Sequence, residues 1–235
     1  EGGTIGDDTD KAGTQVTIEA ELIAVLVNIS EQLVQDGEID VVSDVLADFV
    51  QAMNERLDFA CFQGDGTEDA THGGITGVFN FGTAVTAAAG RNSVAATKID
   101  DWLKCLTGVA DVVLERAARW WEHPTLTAAS LGVLDGNDRP IFLPAQEAPA
   151  LGALGSRLGY PITPVSAAPS TDGASAQISA FGDPDGFVVG IRRDMQLDES
   201  KEHRFANFQR TIRGVMRGDA KGRRADALTV LSTAA

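Results

Sequence analysis

From Asp40 to Phe62, apolar residues fall at Val42, Val45, Leu46, Phe49, Val50, Met53, Leu57 and Ala60. This is the three-and-four spacing of one helical face. Asp40 stands where an N-cap carboxylate accepts from the free N–H groups of a first turn. Neither Pro nor Gly interrupts the run, and Gly64-Asp65-Gly66-Thr67 ends it. At ~1.5 Å per residue the helix is roughly 33 Å long, enough to cross a whole domain. Asp44, Asp48, Glu55 and Asp58 mark its opposite face. Whatever else the chain does, it must pack along this rod, and the rod holds no obvious chemistry.

The flanking patterns alternate between strand and helix. Val16, Ile18, Ala20 and Leu22 alternate with Gln15, Thr17, Glu19 and Glu21, the period of a half-buried strand. It leads into Ile23-Ala24-Val25-Leu26-Val27, a continuous apolar run suited to a strand covered on both faces. Ser30 is placed to cap a short helix that Gly37 closes. Beyond the rod, residues 64–77 are turn-rich and 78–90 loosely patterned. The spacing then predicts a helix from a Thr97 cap through about Glu115, and an extended Arg119-Trp120-Trp121. Pro124 opens a helix through Leu134, followed by a turn at Asp135-Gly136-Asn137-Asp138 and a strand at Ile141-Phe142-Leu143. Ala176-Ile178-Ala180, the turn Gly182 to Gly186 and Phe187 to Ile191 read as a hairpin. Residues 205–217 lean to strand, and Ala227 to Ser232 is a final strand. There is no internal repeat, and the class is α+β.

The chain has 235 residues, long enough for one large domain or two intimate ones with a proper core. A net charge of −15 argues against a protein that grips nucleic acid through its phosphates. The sign is uneven: residues 192–224 hold ten of the nineteen Lys and Arg against five acids, so this segment is +5 and the remainder −20. Two solvated faces account for the split, and so does charge complementarity between copies of the chain. Cys61 and Cys105 sit in apolar helical patterns without a CxxC arrangement and read as buried free thiols of a reducing compartment. No run of eighteen apolar residues and no basic-then-apolar start occurs, so no membrane partner is expected. Residues 1–14 are Gly- and Asp-rich and read as a mobile or partner-dependent segment. The start at Glu1 without a Met reads as a longer chain that was cut or processed.

A search for chemistry returns no site. His72, His123 and His203 lie far apart without an HxxxH or Cys partner, so no metal is expected. No nucleophile elbow, P-loop lysine or dinucleotide-binding glycine pattern is present. Gly64-Asp65-Gly66-Thr67-Glu68-Asp69 has Gly where a calcium loop needs its third ligand and reads as a turn. Turn geometry likewise explains Asp183 and Asp185 around Pro184. The expectation is therefore no catalytic, cofactor-binding or metal-ligating residues, no cofactor and no enzyme.

Taken in order, the pieces resemble the major capsid protein of tailed bacteriophages, the Hong Kong 97-type coat fold. The resemblance rests on Ser30-Glu31-Gln32-Leu33 with Asp36, the long helix ending at Gly64-Asp65-Gly66-Thr67, and Gly74-Ile75. It continues through the helix near Ile99 to Val113, His123-Pro124, Arg139 with Ile141-Phe142, Gly159-Tyr160-Pro161-Ile162, Phe181-Gly182-Asp183 and Asn207-Phe208. It covers roughly residues 15–233, although the family usually has Asn where this chain has His123. The resemblance implies a peripheral domain of residues 23–116 and 205–235 with the helix 40–62 as its spine. Residues 117–204 become an axial domain gathering around five- and six-fold axes, and residues 1–22 the end of an extended loop lying across a neighbour. Some members cross-link neighbours through an isopeptide between a loop Lys and an Asn, assisted by a Glu. Laid without gaps from Asn207-Phe208, those Asn and Glu positions hold Thr211 and Gly218, and Lys11 is a stray loop partner, so cross-linking is not expected.

The function so implied is a structural head protein. It assembles with itself into pentamers and hexamers and encloses double-stranded DNA without sequence-specific contacts. Its other partners are a portal, scaffold or maturation protease and cement proteins. Its location is the virion, after assembly in the bacterial host cytoplasm. An encapsulin-like protein compartment shares the fold and is the alternative. A soluble α+β hydrolase using scattered carboxylates is a third reading, and it requires a discrete monomer or dimer with a deep polar cleft.

Overall fold

The rod is present. In a computed structural model, which describes residues 16–36, 41–68, 74–133, 139, 142–144 and 155–235, a single helix spans Val41–Gln63 (α2). Phe49, Met53 and Ala60 are buried along its inner face while Asp44, Asp48, Glu55 and Asp58 are exposed, as the spacing predicts. Asp40, Gly37 and the turn at 135–138 lie outside the described residues.

The helix braces a three-stranded antiparallel sheet of order β1-β9-β8, built from Glu21–Ser30 (β1), Phe187–Arg204 (β8) and Gln209–Gly222 (β9). Ile23 of β1 and Met216 of β9 are register partners and pack with Phe49 and Met53. Close approach fixes one glycine: a Cβ at Gly214 would collide with the Phe49 ring. Two strand expectations are corrected here. Residues 16–20 are not in a strand, which begins at Glu21. The run 23–27 is covered on one face only, for Leu22 and Leu26 are 60% and 59% exposed. An apolar run signals a strand without saying whether solvent, helix or another molecule covers its second face.

A seven-stranded mixed sheet forms the second body, in the order β2-β10-β7-β3-β6-β5-β4. Its strands are Thr83–Thr86 (β2), Arg119–Glu122 (β3), Phe142–Pro144 (β4), Gly155–Arg157 (β5), Tyr160–Pro164 (β6), Gln177–Gly182 (β7) and Leu228–Ser232 (β10). One face packs Trp102, Val113, Trp120, Leu126, Ile162 and Phe181. The other packs Val78, Phe79, Ala168, Ala180 and Val230. Trp120 sits at the centre, 5.5 Å edge-on to Trp102 and 4.5 Å from Phe181 between ring centroids. Short helices cover this body at Val78–Phe81 (α3), Ile99–Thr107 (α4), Asp111–Leu114 (α5) and Pro124–Ser130 (α6), and Glu31–Asp36 (α1) follows β1.

Three further expectations are revised. The helix predicted over 97–115 is broken at Gly108 to Ala110 into α4 and α5. Thr97 is not its cap: its hydroxyl donates to the Val94 carbonyl at 2.7 Å and accepts from the Trp102 indole at 3.1 Å. The first turn of α4 is closed instead by Asp101, which accepts from the Lys98 N–H at 3.2 Å. The helix from Pro124 ends at Ser130. Finally, β7 and β8 are not a hairpin, since each belongs to a different sheet. The chain crosses between sheets at 183–186, beside the return crossing at 223–227. The two crossings are tied by the Asp183 N–H to the Ala227 carbonyl (3.1 Å) and the Arg223 N–H to the Gly186 carbonyl (2.8 Å). Gly182, at φ 152°, has no room for a Cβ against the Ala227 carbonyl. β8 lies wholly in the sheet of the spine, and β10 lies inside the other sheet.

Candidate self-association surface

Among the described residues, no group of three or more His, Cys, Asp and Glu is placed to hold a metal. His123 caps α6, its Nδ1 accepting from the Thr125 N–H at 3.2 Å. His203 is exposed on β8, and His72 lies outside the described residues. Asp65 accepts from the Thr67 N–H at 2.9 Å and pairs across to Thr76, a turn. Asp183 accepts from the Asp185 N–H at 3.0 Å, and Arg116 stands 3.6 Å away. Cys61 and Cys105 are free and buried, and burial pushes both thiols up to about 12. Such thiols stay protonated and inert near neutral pH.

One buried polar cluster was not anticipated from sequence. Arg157 and Glu122, both fully buried, form an ion pair in the core of the seven-stranded body. Ser179 donates to Glu122 at 3.0 Å, Thr127 donates to Glu122 at 3.1 Å, and Arg157 donates to Ser130 at 2.5 Å. Its signal was a composition one: Arg157 is the only Lys or Arg between Arg139 and Arg192.

The three-stranded sheet offers a different kind of surface. On the face away from α2, Leu22, Ala24 and Leu26 lie in register with Arg217, Val215 and Arg213. Arg213 pairs with Asp198 of β8 at 2.7 Å. Residues 16–20 are held against this sheet by two of its side chains: the Glu19 N–H donates to the Asp219 carboxylate at 2.9 Å, and the Arg217 guanidinium donates to the Ala20 carbonyl at 2.9 Å. Of the positions compared with a cross-linking site, Thr211 is buried, donating to Asn28 at 2.7 Å. Gly218 lies mid-sheet opposite Glu21 and Ile191, and Lys11 is outside the described residues.

At the far end of this sheet, β8 and β9 are joined by a tight turn, Phe205–Asn207. Phe205 is 83% exposed, and Phe208, at φ 54°, is 53% exposed. A left-handed backbone is uncommon for a bulky side chain. The turn is anchored at its base. The Glu31 N–H donates to the Phe208 carbonyl at 3.0 Å, Glu31 takes two hydrogen bonds from Arg210 at 2.8 and 2.9 Å, and Arg210 pairs with Glu199 at 3.1 Å. The Arg210 hydrogen bonds hold the Glu31 carboxyl below its ordinary range. Beside the turn is a cleft of about 180 Å³ lined by Glu31, Lys201, Phe205, Phe208 and Gln209.

A three-stranded sheet braced by one long helix, beside a seven-stranded mixed sheet, is the architecture of the Hong Kong 97-type coat fold. The capsid of the empty GTA particle has this fold, superposing with a TM-score of 0.76 at 17% identity over 98% of this chain and 81% of that one. The chain belongs to the phage capsid family, whose model matches residues 1–233. A Gordonia phage Cozz chain superposes with a TM-score of 0.67 at 13% identity, over 100% of this chain and 78% of that one. The SrpI encapsulin of Synechococcus elongatus PCC 7942 superposes with a TM-score of 0.63 at 14% identity, covering 91% and 73%. No curated protein matches the sequence.

Proposed function

We propose that the chain is a major capsid protein that assembles with copies of itself, as pentamers and hexamers, into a closed shell around double-stranded DNA. Membership of the phage capsid family over nearly the whole chain carries this reading. The physical support is that a shell subunit needs rigid bodies joined by heterologous contacts that close into rings. Here residues 23–116 and 205–235, with α2 as spine, serve as the peripheral domain, and residues 117–204 serve as the axial domain. Residues 1–22 are the end of a loop extended over a neighbour. The basic segment 192–224 and the acidic remainder give copies opposite signs to set against one another. The net charge of −15 keeps packaged DNA from sticking to the wall. Portal, scaffold, maturation protease and cement proteins are the further partners. The protein acts in the virion after assembly in host cytoplasm and catalyses nothing.

An encapsulin-type compartment is the second reading, favoured by the fold likeness to SrpI. Electron microscopy of the purified protein, with assay of nuclease-protected nucleic acid, tests both. Closed particles enclosing DNA support the first, and closed particles enclosing protein cargo support the second. A preparation that stays monomeric under every assembly condition overturns both.

A further inference from the structure

We propose that the turn joining β8 and β9 is a knob-and-cleft contact between copies, in which Phe205 of one copy enters the cleft beside Phe208 of the next. This rests on the proposed self-assembly and names the residues that would carry one of its contacts.

Phe205 is the most exposed large apolar side chain among the described residues, at 83%. A monomer gains nothing from such a ring in water, where its burial elsewhere would be favourable. The turn is also not a loose end. Glu31, Arg210 and Glu199 fasten its base, and the Glu31 N–H grips the Phe208 carbonyl. Phe208 holds a left-handed conformation that glycine would adopt at less cost. Rigid backbone under two exposed aromatics is what a preformed contact requires.

The occupant follows from shape and charge. A cavity of about 150 Å³ lined by apolar groups accepts benzene, so the cleft of about 180 Å³ has room for one phenyl ring. Phe205 forms part of the wall of its own cleft and so cannot fill it, whereas the same ring on a second copy can. The cleft's acid, Glu31, is already engaged by Arg210, so the site does not ask for a cationic ligand. Lys201, Glu202 and Arg204, all exposed, place both signs on the turn, so Glu202 of one copy can be set against Lys201 or Arg204 of the next. Knob and cleft lie side by side on one molecule, so each copy gives a ring and receives one. With the giving and receiving partners on different neighbours the contact is heterologous, and it yields a ring of copies where the rotation closes.

The test compares the full chain with Phe205→Ala and Phe205→Trp by sedimentation and electron microscopy under conditions where the unchanged chain forms particles. Circular dichroism and thermal melting of the unassembled subunits run alongside. The expected result is an unchanged melt for both variants, at least tenfold fewer particles for Phe205→Ala, and retained particles for Phe205→Trp. Particles from Phe205→Ala in normal yield and stability overturn the proposal while leaving the capsid reading intact. A melting temperature that falls in Phe205→Ala shows the ring covered by its own chain and also overturns it. Failure of the unchanged chain to assemble anywhere removes the capsid reading itself, and this contact with it.

Discussion

The guanidinium carbon of Arg157 lies 3.8 Å from the centroid of the Trp102 ring, while the same guanidinium pairs with buried Glu122. The cation is thus sandwiched between a carboxylate and an aromatic face, in a core from which water is excluded. Two charges there are tolerated only as a pair.

Removing one partner should therefore be far worse than removing both. Glu122→Leu or Arg157→Met alone should lower the unfolding free energy by about 3–5 kcal/mol. The double variant should recover most of that loss. Urea denaturation of the unassembled subunit reads it out, and additive single losses would show that the two residues act independently.

The spine contact makes a sharper steric prediction. Gly214→Ala should destabilise by about 1–3 kcal/mol, since the added methyl meets the Phe49 ring. Adding Phe49→Leu should relieve part of it, although Phe49→Ala alone should cost about 3–5 kcal/mol through the cavity it leaves. The same four proteins compared by thermal melting give both answers.

Asp101 makes stability depend on pH. Burial pushes its carboxyl up, but hydrogen bonds from Arg91 and from the Lys98 and Ala88 N–H groups outweigh burial and hold it below the ordinary range. A carboxyl depressed in the folded state contributes stability above its unfolded value of about 3.9 and loses it as the pH falls through the folded value. Acid titration of the unchanged chain should show this loss below about pH 4. Asp101→Asn should be less stable at neutral pH, with a flatter acid limb. Parallel curves for the two proteins would contradict the assignment.

Cys61 and Cys105 should be silent toward an aromatic disulfide reagent at pH 8 in the folded chain, since burial pushes both up to about 12. Both should react on unfolding, so the reagent colour should follow the circular-dichroism transition. Early reaction of Cys61 alone would reveal local opening between α2 and the sheet.

Sequence made the spine legible because twenty-three residues of one period need no distant partner to be recognised. Its end was legible too, as Gly64 marks it. Elements defined by remote neighbours were harder. Phe187 to Ile191 follows a turn and looks like a returning hairpin strand, yet Lys221 and Gly222 take it into the other sheet. The break at Gly108 is equally non-local: the Ala110 N–H donates to the Asp226 carbonyl at 2.9 Å. Among the surface residues, nothing in the string 201–210 separates Phe205 from a core residue. Only the turn geometry exposes it, and only the Glu31–Arg210 pair, 179 positions apart, shows that the turn is fixed.

Both sheets reserve an inner place for late-made chain. β9 lies between β1 and β8, and β10 lies between β2 and β7. On the ribosome, then, Ile23 has no strand partner, and Phe181 has only Trp120 of β3 beside it, until residues 209–232 emerge. Neither platform is finished before that moment. A growing copy therefore offers neither sheet as a finished face before translation has passed this point.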